Sequence, residues 1–170
     1  MSQSQINLLK WMLEDVRKIT LRGVAHLTKE QLFQIPAAGE YPIGAYLMHL
    51  AEVDLGWLET LSGKQQSEDL IKKSYGDKWF DPSGESSPPK EALEINEYID
   101  TIAEARKNFL DYVSTLGDSE LEGEVILKRK DGDHKIKKKW IIYHIIEHEA
   151  HHRGQMFMLI RKAGWNKVKS

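Results

Sequence analysis

Residues 140–163 read WIIYHIIEHEAHHRGQMFMLIRKA, and four of the chain's seven histidines, His144, His148, His151 and His152, fall inside nine of these positions. At about 100° per residue, Ile141, Ile145, His148, His152, Gln155 and Leu159 form one stripe of a long amphipathic helix. That stripe predicts two imidazoles in a seam directed at the core. Histidines four apart stand one turn from each other, so both can reach a single metal ion. A buried neutral imidazole needs a partner for each ring nitrogen, and a metal on one with a hydrogen bond on the other satisfies both. A lone histidine here would read as a core residue bonded to backbone or carboxylate. The pair at ligand spacing, with a further candidate upstream, favours a metal site. His144 and His151 fall to one side of the stripe and read as outer or surface groups.

The same stretch contains His148-Glu149-Ala150-His151-His152, which is literally the H-E-x-x-H signature of zinc proteases, with Glu149 in the general-base position. Such an enzyme takes its third ligand from downstream. After Glu149 the chain has no Asp or Glu, and beyond His152 it has no His. The third ligand must come from upstream, which counts against the protease reading.

The chain has 170 residues, a length that suits one domain with a sizeable core. Hydrophobic content of 41% and charged content of 29% suit a soluble globular protein. A net charge of −2 gives no global attraction to nucleic acid or anionic membrane. There is no cysteine, which excludes disulfides, thiolate metal sites and a protein-borne thiol nucleophile. No uninterrupted apolar run reaches membrane-spanning length, and Met1–Gln5 lacks the basic and apolar pattern of a leader, so a cytoplasmic location is expected.

Upstream, Ile6, Leu9, Leu13, Val16, Thr20, Val24 and Leu27 predict a first helix of about six turns. Thr28-Lys29-Glu30-Gln31 reads as a capping box for a short helical turn, ended by Pro36. A second long helix runs from Ile43 to about Leu61 and carries His49, the upstream ligand candidate. Ala45, Val53, Gly56 and Thr60 share a line with His49. Such small residues either leave a cavity beside a metal or let two helices approach closely. Glu52, one turn from His49, could orient a ligand or accept a proton, or could be a solvated edge residue.

Between Gly63 and Pro89 the periodicity fades into a long connection, with a helical turn near Glu68 to Lys73 and an aromatic pair, Trp79-Phe80. That pair is expected to pin the connection to the body of the protein rather than to lid a site. Ser87 as N-cap and Pro88 in the first turn then open a third long helix carrying Ala92, Ile95, Ile99, Ile102, Arg106, Phe109, Val113 and Leu116, stopped by Gly117. Arg106 interrupts its apolar seam. It could hold a substrate carboxylate or phosphate, but a packed stem with an outward head is the favoured expectation.

Glu124 to Lys138 reads as a β-hairpin with a type I′ turn at Asp131-Gly132. Its basic residues lack interleaved aromatics and are diluted by Asp131 and Asp133, so nucleic-acid binding is not expected. The whole pattern predicts an all-α, antiparallel-type four-helix bundle over residues 1–170, with a small hairpin before the last helix. Bundles build metal sites from inward side chains of facing helices. Here the second long helix would supply His49, and the last would supply His148 and His152.

The segment from His144 to Gln155, together with Tyr46-Leu-Met-His49-Leu, resembles the DinB-like family, also called the DinB/YfiT superfamily, in element order over nearly the whole chain. The resemblance implies an up-down-down-up bundle, commonly a homodimer, whose three metal-binding histidines correspond to His49, His148 and His152. It implies a divalent ion, nickel or zinc foremost, and for some members transfer of a small thiol such as bacillithiol or mycothiol; many members have no assigned activity. His151 is extra to the motif and leaves an alternative ligand open. Three neutral imidazoles leave an ion its full charge and an open position, which suits activation of water or thiol. The leading expectation is therefore a metal-dependent transferase adding a soluble small-molecule thiol to an electrophile. One alternative is a hydrolase that uses hydroxide generated at the ion, with Glu52 or Glu149 accepting the proton; Arg106 completes the candidate catalytic set. Another is a non-catalytic metal-binding or sensing protein. Five tryptophans exceed what one small core needs, in keeping with an apolar subunit contact.

Overall fold

The structure, a computed structural model, describes residues 4–80 and 88–166. Four long helices carry the apolar periodicity: α1 (Gln5–Val24), α3 (Ile43–Ser62), α5 (Ile95–Val113) and α6 (Lys138–Lys162). Two short helices, α2 (Lys29–Phe33) and α4 (Glu68–Lys73), lie in the connections, and β1 (Glu124–Arg129) pairs antiparallel with β2 (Gly132–Lys137) just before α6. Capping fixes several of the helix starts. Ser4 accepts from the Asn7 N–H at α1, Ser67 from Leu70 at α4, and Thr28 and Gln31 form the expected capping box of α2.

Side-chain pairings set the helix directions. Leu8 and Leu9 lie beside Trp140 and Tyr143, Arg17 meets Glu149 and Gly23 lies against Phe157, so α1 and α6 run parallel. Asp54 meets Arg106 and the Leu61 carbonyl meets Tyr112, so α3 and α5 also run parallel. His49 meets His148 while Trp57 meets His144, so α3 and α6 are antiparallel. This is the up-down-down-up bundle, with α1 and α3 on one diagonal and α5 and α6 on the other. A parallel neighbour cannot be reached by a short turn. The 63–94 connection must instead travel back along about 30 Å of helix.

Two apolar clusters fill the bundle. One gathers Val24, Leu47, Met48, Tyr98, Ile102, Met156 and Leu159; the other gathers Ile6, Leu13, Leu58, Phe109, Val113, Ile141 and Ile145. Close approach is enforced by glycine at two points. A Cβ on Gly44 would lie 2.5 Å from Tyr98 Cε1, and one on Gly23 would lie 2.0 Å from the Phe157 ring. Between the clusters sit four buried charges, one from each long helix: Arg17, Asp54, Arg106 and Glu149.

Several expectations are corrected. The third long helix starts at Ile95 rather than at Pro88, because Glu94 caps it through the Glu97 side chain and is held by Lys29; Ser87, the expected N-cap, lies outside the described residues. That helix ends at Val113, and Gly117 opens a short 3-10 turn over Asp118–Glu122 instead of closing the helix. In the hairpin, Arg129 pairs with Gly132, so Lys130 and Asp131 form the turn, and only Gly132 has positive φ, at 129°. A type I′ turn needs positive φ at both central residues, and this turn has it at neither. Arg106 does not snorkel outward: it is 4% exposed.

Candidate metal centre

His49 comes from the second turn of α3, and His148 and His152 come from successive turns of α6, which places all three on the facing sides of an antiparallel pair. The His148 Nε2 lies 3.2 Å from His49 Nε2 and 3.1 Å from His152 Nε2, and the potential ligand atoms of the three rings lie within 4.8 Å of one another. A tetrahedral ion with nitrogen ligands at about 2.0–2.1 Å needs nitrogens roughly 3.3 Å apart. The donor set and its spacing therefore fit such an ion.

The outer atoms of two rings are also engaged. His152 Nδ1 lies 2.6 Å from Gln155 Oε1; an N–H donated there leaves the Nε2 lone pair directed at the centre. Glu52 Oε2 stands 4.0 Å from His49 Nδ1. Burial, and then the neighbouring rings of His152, His49, His144 and His151, push the His148 pKa down to about 3. That ring is neutral at physiological pH, the form a metal requires.

Aromatic rings close around the cluster. Phe80 stacks on His49 with centroids 4.3 Å apart and planes at 15°, and Tyr46 lies 5.6 Å from His152. Trp140 stacks on His144 at 4.8 Å, and His144 lies 5.7 Å from His148. The aromatic pair in the long connection thus divides its work. Trp79 is buried against Phe33 and Tyr98, as pinning requires, while Phe80 covers the histidines. His151 is exposed.

Glu149 and Arg106 sit elsewhere. Glu149 accepts from Arg17 Nε at 2.9 Å and from Arg106 Nη2 at 2.7 Å, one arginine on each oxygen. Arg106 also bonds both Asp54 oxygens and the Leu13 carbonyl, and Arg17 reaches Asp54 and the Ile102 carbonyl. Burial opposes ionisation of Glu149, but the two guanidinium groups outweigh it and hold its carboxyl below the usual range. Burial likewise opposes the charge on Arg106, and Asp54 and Glu149 reverse that. The four charges form a closed network, tied to the two histidine-bearing helices through Asp54 on α3 and Glu149 on α6. Arg17, Asp54 and Gln155 are support residues that the sequence reading does not single out, and Phe80, expected only to pin the connection, lies over the cluster instead. The signal for Arg17 and Asp54 was a charge on an apolar helix face; for Gln155 it was the position three beyond His152.

The DinB family model matches residues 1–169. No curated protein matches the chain. Among solved structures, a DinB-like protein from Bacillus cereus ATCC 10987 is 23% identical, with 100% of this chain and 99% of that one covered and a TM-score of 0.65. A conserved protein from Enterococcus faecalis is 12% identical, covering 97% and 100%, with a TM-score of 0.72. YfiT from Bacillus subtilis, described as a probable metal-dependent hydrolase with an unusual four-helix bundle topology, is 16% identical, covering 98% and 91%, with a TM-score of 0.66. These likenesses concern the fold, and the family model spans all but the last residue: the chain belongs to the DinB family.

Proposed function

We propose that this protein is a metal-dependent enzyme whose divalent ion, nickel or zinc, is held by His49, His148 and His152. The observation that carries the reading is the convergence of Nε2 atoms from α3 and α6 at 3.1 and 3.2 Å, with His152 oriented from behind by Gln155. When bound, the ion supplies a positive charge that lowers the pKa of a coordinated water or thiol. The chain's own residues do the rest. Three neutral rings leave that charge uncompensated. Phe80 and Tyr46 shield the cluster from bulk water, which strengthens electrostatic interactions there. Glu52, beside His49 at the partly exposed edge, is the carboxylate placed to take up a proton. Arg106 and Glu149 we assign to positioning, since their polar atoms are spent on each other and on Arg17 and Asp54.

The preferred reaction is transfer of a small-molecule thiol to an electrophile. With no cysteine in the chain, the sulfur must arrive on a cosubstrate. Hydrolysis, with water in place of the thiol, is the second reading and is favoured by the description of YfiT. A homodimer accompanies either reading, supported by Leu8, Trp140 and Tyr143, exposed side chains that border one groove between α1 and α6. The test uses protein purified without an affinity tag, analysed for metal and assayed with a halogenated nitroarene plus thiol and, separately, with esters lacking thiol. Stoichiometric metal and thiol-dependent turnover, both lost in His148→Ala, are expected. Inactivity toward both substrate sets with metal bound would overturn the enzymatic reading.

A further inference from the structure

Beside the histidine cluster, α3 and β1 bound a groove of about 360 Å³ lined by Glu52, Gly56, Trp57, Thr60, Leu127 and Arg129. Two lines of contact join it to the cluster. Glu52 faces His49 at 4.0 Å, and Trp57 lies 5.6 Å from His144, itself next to His148. The rings that cover the histidines, Phe80 and Tyr46, take no part in this groove.

Gly56 makes the groove. Glycine is disfavoured in a helix interior, and packing does not require it here: Gly56 is exposed, and a Cβ would meet only Glu52 Oε1, at 3.9 Å. The expectation that this glycine lets two helices approach is therefore set aside. A larger side chain would instead extend into the groove. Trp57 and Leu127 give the groove an apolar surface, and the indole is steadied edge-on by Trp140 at 5.9 Å. Arg129 is the cation of the lining, exposed and with no carboxylate within ion-pair distance among the described residues.

We propose that this groove seats the body of the substrate: a small organic molecule with a flat apolar part against Trp57 and Leu127 and a carboxylate or phosphate paired with Arg129. The inference rests on the proposed function for what happens to the other end of that molecule, but binding itself does not require the metal. An apolar surface beside a single unpaired guanidinium selects this chemistry, because arginine engages carboxylate and phosphate oxygens in a fork while the ring surface buries apolar area.

The test is calorimetric titration of the full chain, metal-free and metal-loaded, with 2-naphthoate, 2-naphthyl phosphate and the neutral 2-naphthamide. Both anions should bind with or without metal, at least tenfold more tightly than the amide, and their ratio identifies the preferred anion. Arg129→Gln should remove that preference, while Lys128→Gln on the neighbouring strand position should not. Gly56→Leu should weaken all three probes at least tenfold with an unchanged or raised unfolding midpoint and unchanged metal content. Equal affinity for amide and anions, full binding by Gly56→Leu, or no binding to folded wild-type protein would each overturn the proposal. Loss of metal-dependent turnover with these affinities intact would overturn the enzymatic reading and leave the groove standing.

Discussion

His152 depends on an atom three residues away. Its Nδ1 lies 2.6 Å from Gln155 Oε1, and an N–H donated there holds the ring's tilt and leaves its Nε2 lone pair for the cluster. Gln155→Leu keeps the volume and removes the acceptor. Outer-shell changes of this kind cost 10–100-fold in metal affinity, and a loss of about that size is expected by chelator competition, with the metal-free unfolding midpoint nearly unchanged. His148 gives a pH dependence. Its pKa falls from 6.5 to about 3 in the folded chain, first through burial and then through the rings around it. Between those values the unfolded chain binds the extra proton, so stability of the metal-free protein should fall as pH drops through that window and should owe nothing to His148 above it. Denaturant midpoints at pH 7, 5.5 and 4.5, compared with His148→Gln, measure the slope, which the variant should flatten. The His148 and His152 pair was readable because four-residue spacing on a helix is geometry. Phe80 was not, because it reaches His49 from a connection with no period to read.

The register of α6 was legible only to within about one residue. Ile142, Ile145, Glu149, His152, Met156 and Leu159 are in fact the more deeply buried line, and His148 sits at its half-buried edge. The reason is Glu149, a charge that hydropathy reads as outward but that two arginines draw inward. Helix existence survives such errors because it depends on many apolar positions; the choice of the innermost face depends on partners from other helices. Taking charges out of water costs several kcal/mol per ion, and this network recovers the cost because its carboxylate oxygens are satisfied by guanidinium groups. Removing one member strands the others. Asp54→Ala should therefore lower stability by about 3–5 kcal/mol in urea unfolding. Simultaneous replacement of all four charges by apolar residues of similar volume should be neutral or stabilising. If that variant also binds metal normally, the network does not position α3 and α6; weakened metal binding in a stable variant is the result expected of a register lock.

Periodicity implies an antiparallel-type bundle and reads the long irregular stretch after α3 only as a connection; the crossover between parallel neighbours depends on which helices pack together, and a repeat says which face is buried and not against what. The arrangement places α3 beside α6, so a metal there ties two helices that are far apart in sequence. Both apolar clusters close around the charge network through burial of aliphatic and aromatic side chains from all four long helices, so the bundle has a core that does not depend on the ion. Binding the folded state alone adds RT ln(1 + [M]/Kd), about 4 kcal/mol at a thousandfold excess over Kd. For a chain of this length that corresponds to roughly 8–16 °C in unfolding temperature. Stripping the metal with a chelator should lower Tm by that order while leaving the far-ultraviolet circular dichroism at 25 °C unchanged, and it should abolish turnover. Collapse of the helical signal at 25 °C would instead make the ion a structural rivet. In that case its coordination would be filled by the protein, and the chemistry proposed for His49, His148 and His152 would have no open position at which to occur.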